Sequence, residues 1–118
     1  MAHTVLIVDD DNDIHSMFGR RFERAQIAVV SARSLDEAEQ IINERLNDFS
    51  CILVDGCLNG DYPDTRPLIE MIVERGFKGP LIAMSSARDY RDWMVDWGCT
   101  HKAPKYEVTS LVMSLLDS

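Results

Sequence analysis

The sequence predicts a doubly wound α/β fold: a parallel sheet held between layers of helix. Three observations point to it. Short β-branched apolar runs alternate with amphipathic stretches from one end of the chain to the other. The connections between them are short. Two of the runs, Val5-Leu6-Ile7-Val8 and Cys51-Ile52-Leu53-Val54, are apolar throughout rather than alternating, as strands buried on both faces are.

Taken in order, Val5–Val8 is the first strand. A helix follows from about Asp13 to Arg24, with Ile14, Met17, Phe18 and Phe22 at helical spacing. Ile27–Ala32 is the second strand. Ser34 reads as an N-cap and Glu37, three residues on, completes a capping box; the helix behind them carries Leu35, Ala38, Ile41, Ile42 and Leu46 on one stripe. Cys51–Val54 is the third strand, and Gly56–Arg66, with Gly60 and Pro63, is a loop. Pro67 suits the first turn of a helix running to about Arg75. Gly76, Gly79 and Pro80 make a turn before the fourth strand, Leu81–Met84, which ends at Ser85 and Ser86. A helix from Arg88 to Trp97 is closed by Gly98, a short fifth strand covers Cys99–Lys102, and the last helix covers Val108–Leu116. Right-handed crossovers leave few arrangements of five such units. The expected one is a flavodoxin-like (βα)5 three-layer sandwich with strand order 2-1-3-4-5, a single domain over residues 1–118.

Composition narrows the function. The 118 residues suit one core, and 46% hydrophobic with 27% charged residues is ordinary for a globular domain. A net charge of −8 argues against a nucleic-acid face and against docking on anionic membranes. No apolar run is long enough to span a bilayer, and no basic-then-apolar leader opens the chain, so the cytoplasm is the expected location. Cys51, Cys57 and Cys99 are an odd count without CxxC spacing, which reads as reduced thiols rather than a zinc site or a disulfide framework.

Acidic residues carry the functional signal. Asp9, Asp10 and Asp11 follow the first strand directly, and Asp55 follows the third. In the predicted order those strands are neighbours at the switch point, where open α/β sheets bind ligands. Carboxylates gathered there repel unless a proton or cation intervenes. Asp9, Asp10 and Asp55 are therefore the candidate ligands of a hard cation, Mg2+ foremost.

The stretch Val8-Asp9-Asp10-Asp11-Asn12-Asp13-Ile14 resembles the acidic opening of response-regulator receiver domains, the chemotaxis-regulator-like modules of two-component signalling. The spacings from the acidic pair to Asp55, and from Asp55 to Ser85, extend the likeness over the whole chain. The resemblance implies a phosphoprotein: Asp55 as phospho-acceptor, Asp9 and Asp10 with Asp55 at Mg2+, Ser85 as the hydroxyl contacting the phosphoryl group, and a lysine after the fifth strand. It implies a histidine kinase or histidine phosphotransfer protein as donor. It also implies a homodimer or effector contact through the face of the fourth helix, fifth strand and fifth helix. The aspartyl phosphate would form and hydrolyse by self-catalysis, so the chain is expected to be a relay component rather than an enzyme, with no output module attached.

The chain departs from the family pattern in places. Leu58-Asn59 stands where Met-Pro is usual, so the following loop is expected to differ in shape. Lys-Pro is replaced by Lys102-Ala103-Pro104-Lys105. Lys102 is the preferred phosphate-contacting lysine because it ends the predicted fifth strand, with Lys105 the alternative. No aromatic occupies the family's switch position, and Tyr106 comes too late to fill it.

Other features admit plainer readings. Tyr90, Trp93 and Trp97 form one helical stripe, expected to pack on the core, with a partner surface as the alternative. His3, His15 and His101 lack ligand spacing and read as surface or packing residues. Cys57 reads as structural. Two rivals to phosphoryl acceptance stand: a pseudo-receiver that binds partners without phosphorylation, and a small Mg2+-dependent phosphatase using Asp61 or Asp64 as a second acid.

Overall fold

A computed structural model describes residues 2–59 and 62–117. Five parallel strands form one sheet in the order β2-β1-β3-β4-β5. They are β1 (His3–Val8), β2 (Ile27–Ala32), β3 (Cys51–Asp55), β4 (Leu81–Met84) and β5 (His101–Ala103). The helices are α1 (Asn12–Arg24), α2 (Leu35–Arg45), α3 (Arg66–Glu74), α4 (Arg88–Trp97) and α5 (Lys105–Leu116), with a single 3-10 turn at Leu46–Asp48. This is the flavodoxin-like architecture expected from the sequence.

Alternation along the buried strands divides the core. Leu6, Val8, Ile52, Val54 and Ala83 face one side, where they pack with Ala38, Ile42, Leu68, Ile69, Ile72 and Met94 from α2, α3 and α4. Val5, Ile7, Leu53, Ile82 and Met84 face the other, against Phe18, Phe22, Val108 and Val112 from α1 and α5. The sheet is thus apolar on both faces, which explains why its central strands show no polar alternation. Phe18 and Phe22, one helical turn apart on α1, meet edge to face with ring centroids 6.1 Å apart.

The helix ends follow their sequence signals. Asp11 caps α1, its Oδ1 accepting the Asp13 N–H at 2.9 Å. Ser34 caps α2, its Oγ accepting the Glu37 N–H at 3.1 Å. Gly98, at φ +133°, closes α4: its N–H bonds to the Val95 carbonyl and the Cys99 N–H to the Met94 carbonyl, a paired C-terminal closure. A side chain at Gly98 would also meet Val73 Cγ2 at 2.6 Å.

The fifth βα unit departs from the expected boundaries. Because the Cys99 N–H is committed to closing α4, the strand begins only at His101 and ends at Ala103. Pro104 then takes the N-cap position of α5 in extended backbone, φ −64° and ψ 153°, and the helix starts at Lys105 rather than Val108. The stripe of Tyr90, Trp93 and Trp97 also differs from expectation. Met94 is the fully buried residue of α4, so that stripe is turned off the core: Trp97 packs on it, while Trp93 is 45% exposed and stacks on Tyr90.

Candidate functional site

Register assembles the site. Val5 pairs with Cys51 and Val8 with Val54, so Asp9 and Asp55 leave adjacent strands side by side. Asp55 in turn pairs with Met84, which sets Ser85 just beyond it on β4. One carboxylate oxygen from each of Asp9, Asp10 and Asp55 can be chosen so that all lie within 4.8 Å of one another. Asp9 and Asp55 are buried and Asp10 is exposed at the mouth. The three adjacent acids thus divide their work: Asp9 and Asp10 border the pocket, and Asp11 caps the helix.

Each buried acid is oriented by backbone. Asp9 Oδ1 accepts the Asp11 N–H at 2.9 Å, and Asp55 Oδ1 accepts the Gly56 N–H at 2.8 Å. Asp9 Oδ2 is buried with no hydrogen-bond donor aligned on it among the described residues; the Lys105 ammonium lies 2.9 Å away as an ion-pair partner. The same ammonium is 3.4 Å from Asp55 Oδ2. Burial, and then the neighbouring Asp9 charge, push the Asp55 carboxyl up from 3.8 to about 6, with Lys105 and the Gly56 N–H pulling the other way. Burial opposes the Lys105 ammonium, but Asp9 and Asp55 outweigh it and hold its pKa above the usual lysine value. An oxygen-only set of three carboxylates, one with a buried and under-coordinated oxygen, fits a hard divalent cation.

Of the two candidate lysines, the geometry brings the alternative, Lys105, to the acids and not the preferred Lys102. Lys102 Nζ lies 2.6 Å from Asp92 Oδ1 on the surface, a pairing that joins β5 to α4 and lowers the Asp92 pKa. Lys102 pairs across the ladder with Ala83, two residues short of Ser85, and its ammonium is taken up by Asp92 of α4. Lys105 reaches them because α5 begins immediately after Pro104. A cation at the first helical position opposes the helix dipole; here the two buried carboxylates offset that cost.

Ser85 is buried at the end of β4, and its Oγ accepts the Ala87 N–H at 3.2 Å, so it caps the turn into α4 while its proton stays available. Ser86 is exposed. Asp61 lies outside the described residues. Asp64 is spent structurally: Oδ1 accepts the Leu58 N–H at 2.8 Å and Oδ2 the Asn59 N–H at 2.9 Å, which leaves it poorly suited to the second-acid role. Cys51 and Cys99 are buried, and burial pushes both thiols up to about 12, consistent with inert reduced cysteines. Cys57 is half-buried.

Two further residues brace the site: His15, where packing was one of the expected roles, and Arg91, which the sequence did not single out. His15 is buried, with Nε2 2.6 Å from the Asp9 carbonyl, bracing the strand end from beneath. Its spacing to Phe18 and Phe22 marks the inner face of α1 and was the available signal. Arg91 places Nη1 2.6 Å from the Ser85 carbonyl, tying α4 to the strand end; nothing in its local sequence sets it apart from other helical arginines.

Comparison with solved structures identifies the fold. A response regulator from Burkholderia pseudomallei, crystallised with a phosphorylated aspartic acid, a calcium ion and citrate, is 22% identical with a TM-score of 0.80; the match covers 96% of this chain and 66% of that one. A CheY-like response regulator receiver domain protein from Methanospirillum hungatei is 19% identical with a TM-score of 0.82, covering 99% of this chain and 95% of that one. The BeF3-activated N-terminal receiver domain of RstA from Klebsiella pneumoniae is 16% identical with a TM-score of 0.78, covering 98% of this chain and all of that one. No protein-family model matches the chain, and no curated protein sequence does. The chain has the receiver-domain fold of response regulators. No helix among the described residues is long and apolar enough to cross a membrane.

Proposed function

We propose that this chain is a phospho-accepting receiver domain of a two-component or phosphorelay system, with Asp55 as the acceptor. The observation that carries the reading is the convergence of Asp9, Asp10 and Asp55 with the Lys105 ammonium, 2.9 Å from Asp9 and 3.4 Å from Asp55. Asp9, Asp10 and Asp55 would hold Mg2+, which when bound neutralises charge on the transferring phosphoryl group. A carboxylate oxygen of Asp55 forms the new O–P bond as the P–N bond to a donor histidine breaks. The electron pair goes to the imidazole nitrogen, which leaves with a proton. In this reading Lys105 and the Ser85 hydroxyl would pair with phosphoryl oxygens.

The donor in this reading is a histidine kinase or phosphotransfer protein, and the setting is cytoplasmic. Output passes by protein contact through the face of α4, β5 and α5, where Trp93 and Tyr106 are exposed. The pseudo-receiver alternative drew its support from the irregular lysine region, and Lys105 beside Asp55 removes much of that support. The test is intact-mass measurement after incubation with acetyl phosphate. A Mg2+-dependent phosphoryl adduct that is lost in Asp55→Asn is expected; an unmodified wild-type chain would count for the pseudo-receiver.

A further inference from the structure

Gly56 sits between Asp55 and two residues to which the acceptor reading gives no part. On one side its N–H donates to Asp55 Oδ1 at 2.8 Å. On the other its carbonyl accepts the Asp64 N–H at 3.0 Å and the Thr65 hydroxyl at 3.3 Å. A third side packs toward Met94 and Tyr90. Asp64 is itself immobilised, each carboxylate oxygen taking one backbone N–H, from Leu58 and from Asn59. The chain therefore leaves Asp55, turns, and is stitched back onto the residue that follows it.

Thr65 makes this more than loop closure. It stands immediately before α3, where a threonine hydroxyl ordinarily caps the helix. It makes no cap bond and is fully buried, its hydroxyl turned to the Gly56 carbonyl instead. Burying a hydroxyl is costly unless it is satisfied, and here it is satisfied at the carbonyl of Gly56, the residue whose N–H holds Asp55 Oδ1. We propose that Asp64 and Thr65 are positioning residues for Asp55. They act through Gly56 to keep Asp55 Oδ1 on the Gly56 N–H and Oδ2 on the Lys105 side. The inference rests on Asp55 being the acceptor and adds what aims it, because attack on phosphorus needs a carboxylate fixed in orientation.

The test compares Thr65→Val, which keeps the shape and removes the hydroxyl, with Thr65→Ser, which keeps the hydroxyl. Two quantities are read on folded protein: the Gly56 amide proton shift by NMR, and the rate of adduct formation with acetyl phosphate at saturating Mg2+. Thr65→Val moves the Gly56 amide upfield and slows the adduct about tenfold, the scale of one oriented hydrogen bond, and Thr65→Ser restores both. A merely structural threonine would lower the melting temperature and move neither. Asp64→Ala, at a half-buried side chain, gives the same two readouts where Thr65→Val does not fold. A Gly56 amide and a rate unchanged in either folded variant would overturn the inference. Should the wild-type chain accept no phosphoryl group, the acceptor reading fails separately and the Gly56 amide shift still decides whether the clamp orients Asp55.

Discussion

At the residue scale the site is governed by how Lys105 balances two buried carboxylates. Removing that cation leaves Asp9 and Asp55 facing each other uncompensated, so Lys105→Ala should slow adduct formation on the order of tenfold and weaken the response that follows it. Lys102→Ala, which breaks only the surface pairing with Asp92, should leave the adduct rate unchanged, as intact-mass time courses of the two variants will show. Asp55 also makes stability depend on pH. Its carboxyl titrates at about 6 in the metal-free folded chain and at 3.8 unfolded, so between those values the folded state holds a proton that the unfolded state has released. The ionisation penalty is absent well below pH 3.8, grows as pH rises towards 6, and is complete above about pH 7, at roughly 3 kcal/mol. Asp55→Asn should therefore be stabilising in chelator-treated protein, by a margin that widens over that window. A margin independent of pH in thermal melts would contradict this account of the site.

At the element scale, α4 is tied to the end of β4, where Ser85 stands beside the acids. The Ser85 Oγ accepts the Ala87 N–H, Arg91 bonds the Ser85 carbonyl, and Lys102 holds Asp92 from β5. A phosphoryl group that takes the Ser85 proton would pull on the Oγ that accepts the Ala87 N–H, and so shift the first turn of α4. Trp93, half exposed and stacked on Tyr90, reports on that helix. Its fluorescence should change on phosphorylation in the wild type and change less in Arg91→Ala, where the second tether is gone. The boundary of the fifth unit shows why part of the site was hard to read from sequence. Asp9, Asp10, Asp55 and Ser85 are legible because each ends a well-formed apolar run, and strand neighbours fix their meeting. Lys105 is not, because β5 has three residues, too few for a pattern, and because Cys99 is diverted to the end of α4. Pro104 reads as a break, yet it occupies the cap from which the helix starts, so α5 begins at Lys105, three residues before the Val108 that the apolar periodicity implies. The clamp by Asp64 and Thr65 was hidden for a related reason: its bonds are to backbone groups, which leave no trace in side-chain pattern.

At the scale of the whole molecule, the crowded acids oppose the fold, and a cation bound among them would relieve that cost. Mg2+ at ten times its dissociation constant should stabilise the chain by about 1.4 kcal/mol, a rise of about 5 °C in melting temperature. Asp10→Ala should abolish the shift. Asp11→Ala should lower stability by about 1 kcal/mol through the lost N-cap and keep the Mg2+ shift. Equal loss in both variants would mean that the cation is held elsewhere than at the Asp9, Asp10 and Asp55 pocket. The doubly wound sheet contributes the rest: two apolar layers fix the strand ends beyond which the three carboxylates and Ser85 stand. The central claim is that this scaffold presents Asp55 as a nucleophile toward phosphorus. Peptide mapping of the wild-type chain after treatment with acetyl phosphate and Mg2+ tests it most directly. The account predicts a single hydroxylamine-sensitive adduct on the peptide containing Asp55. A phosphoryl group on the peptide of Asp9 to Asp11, or one that persists in Asp55→Asn, would contradict it.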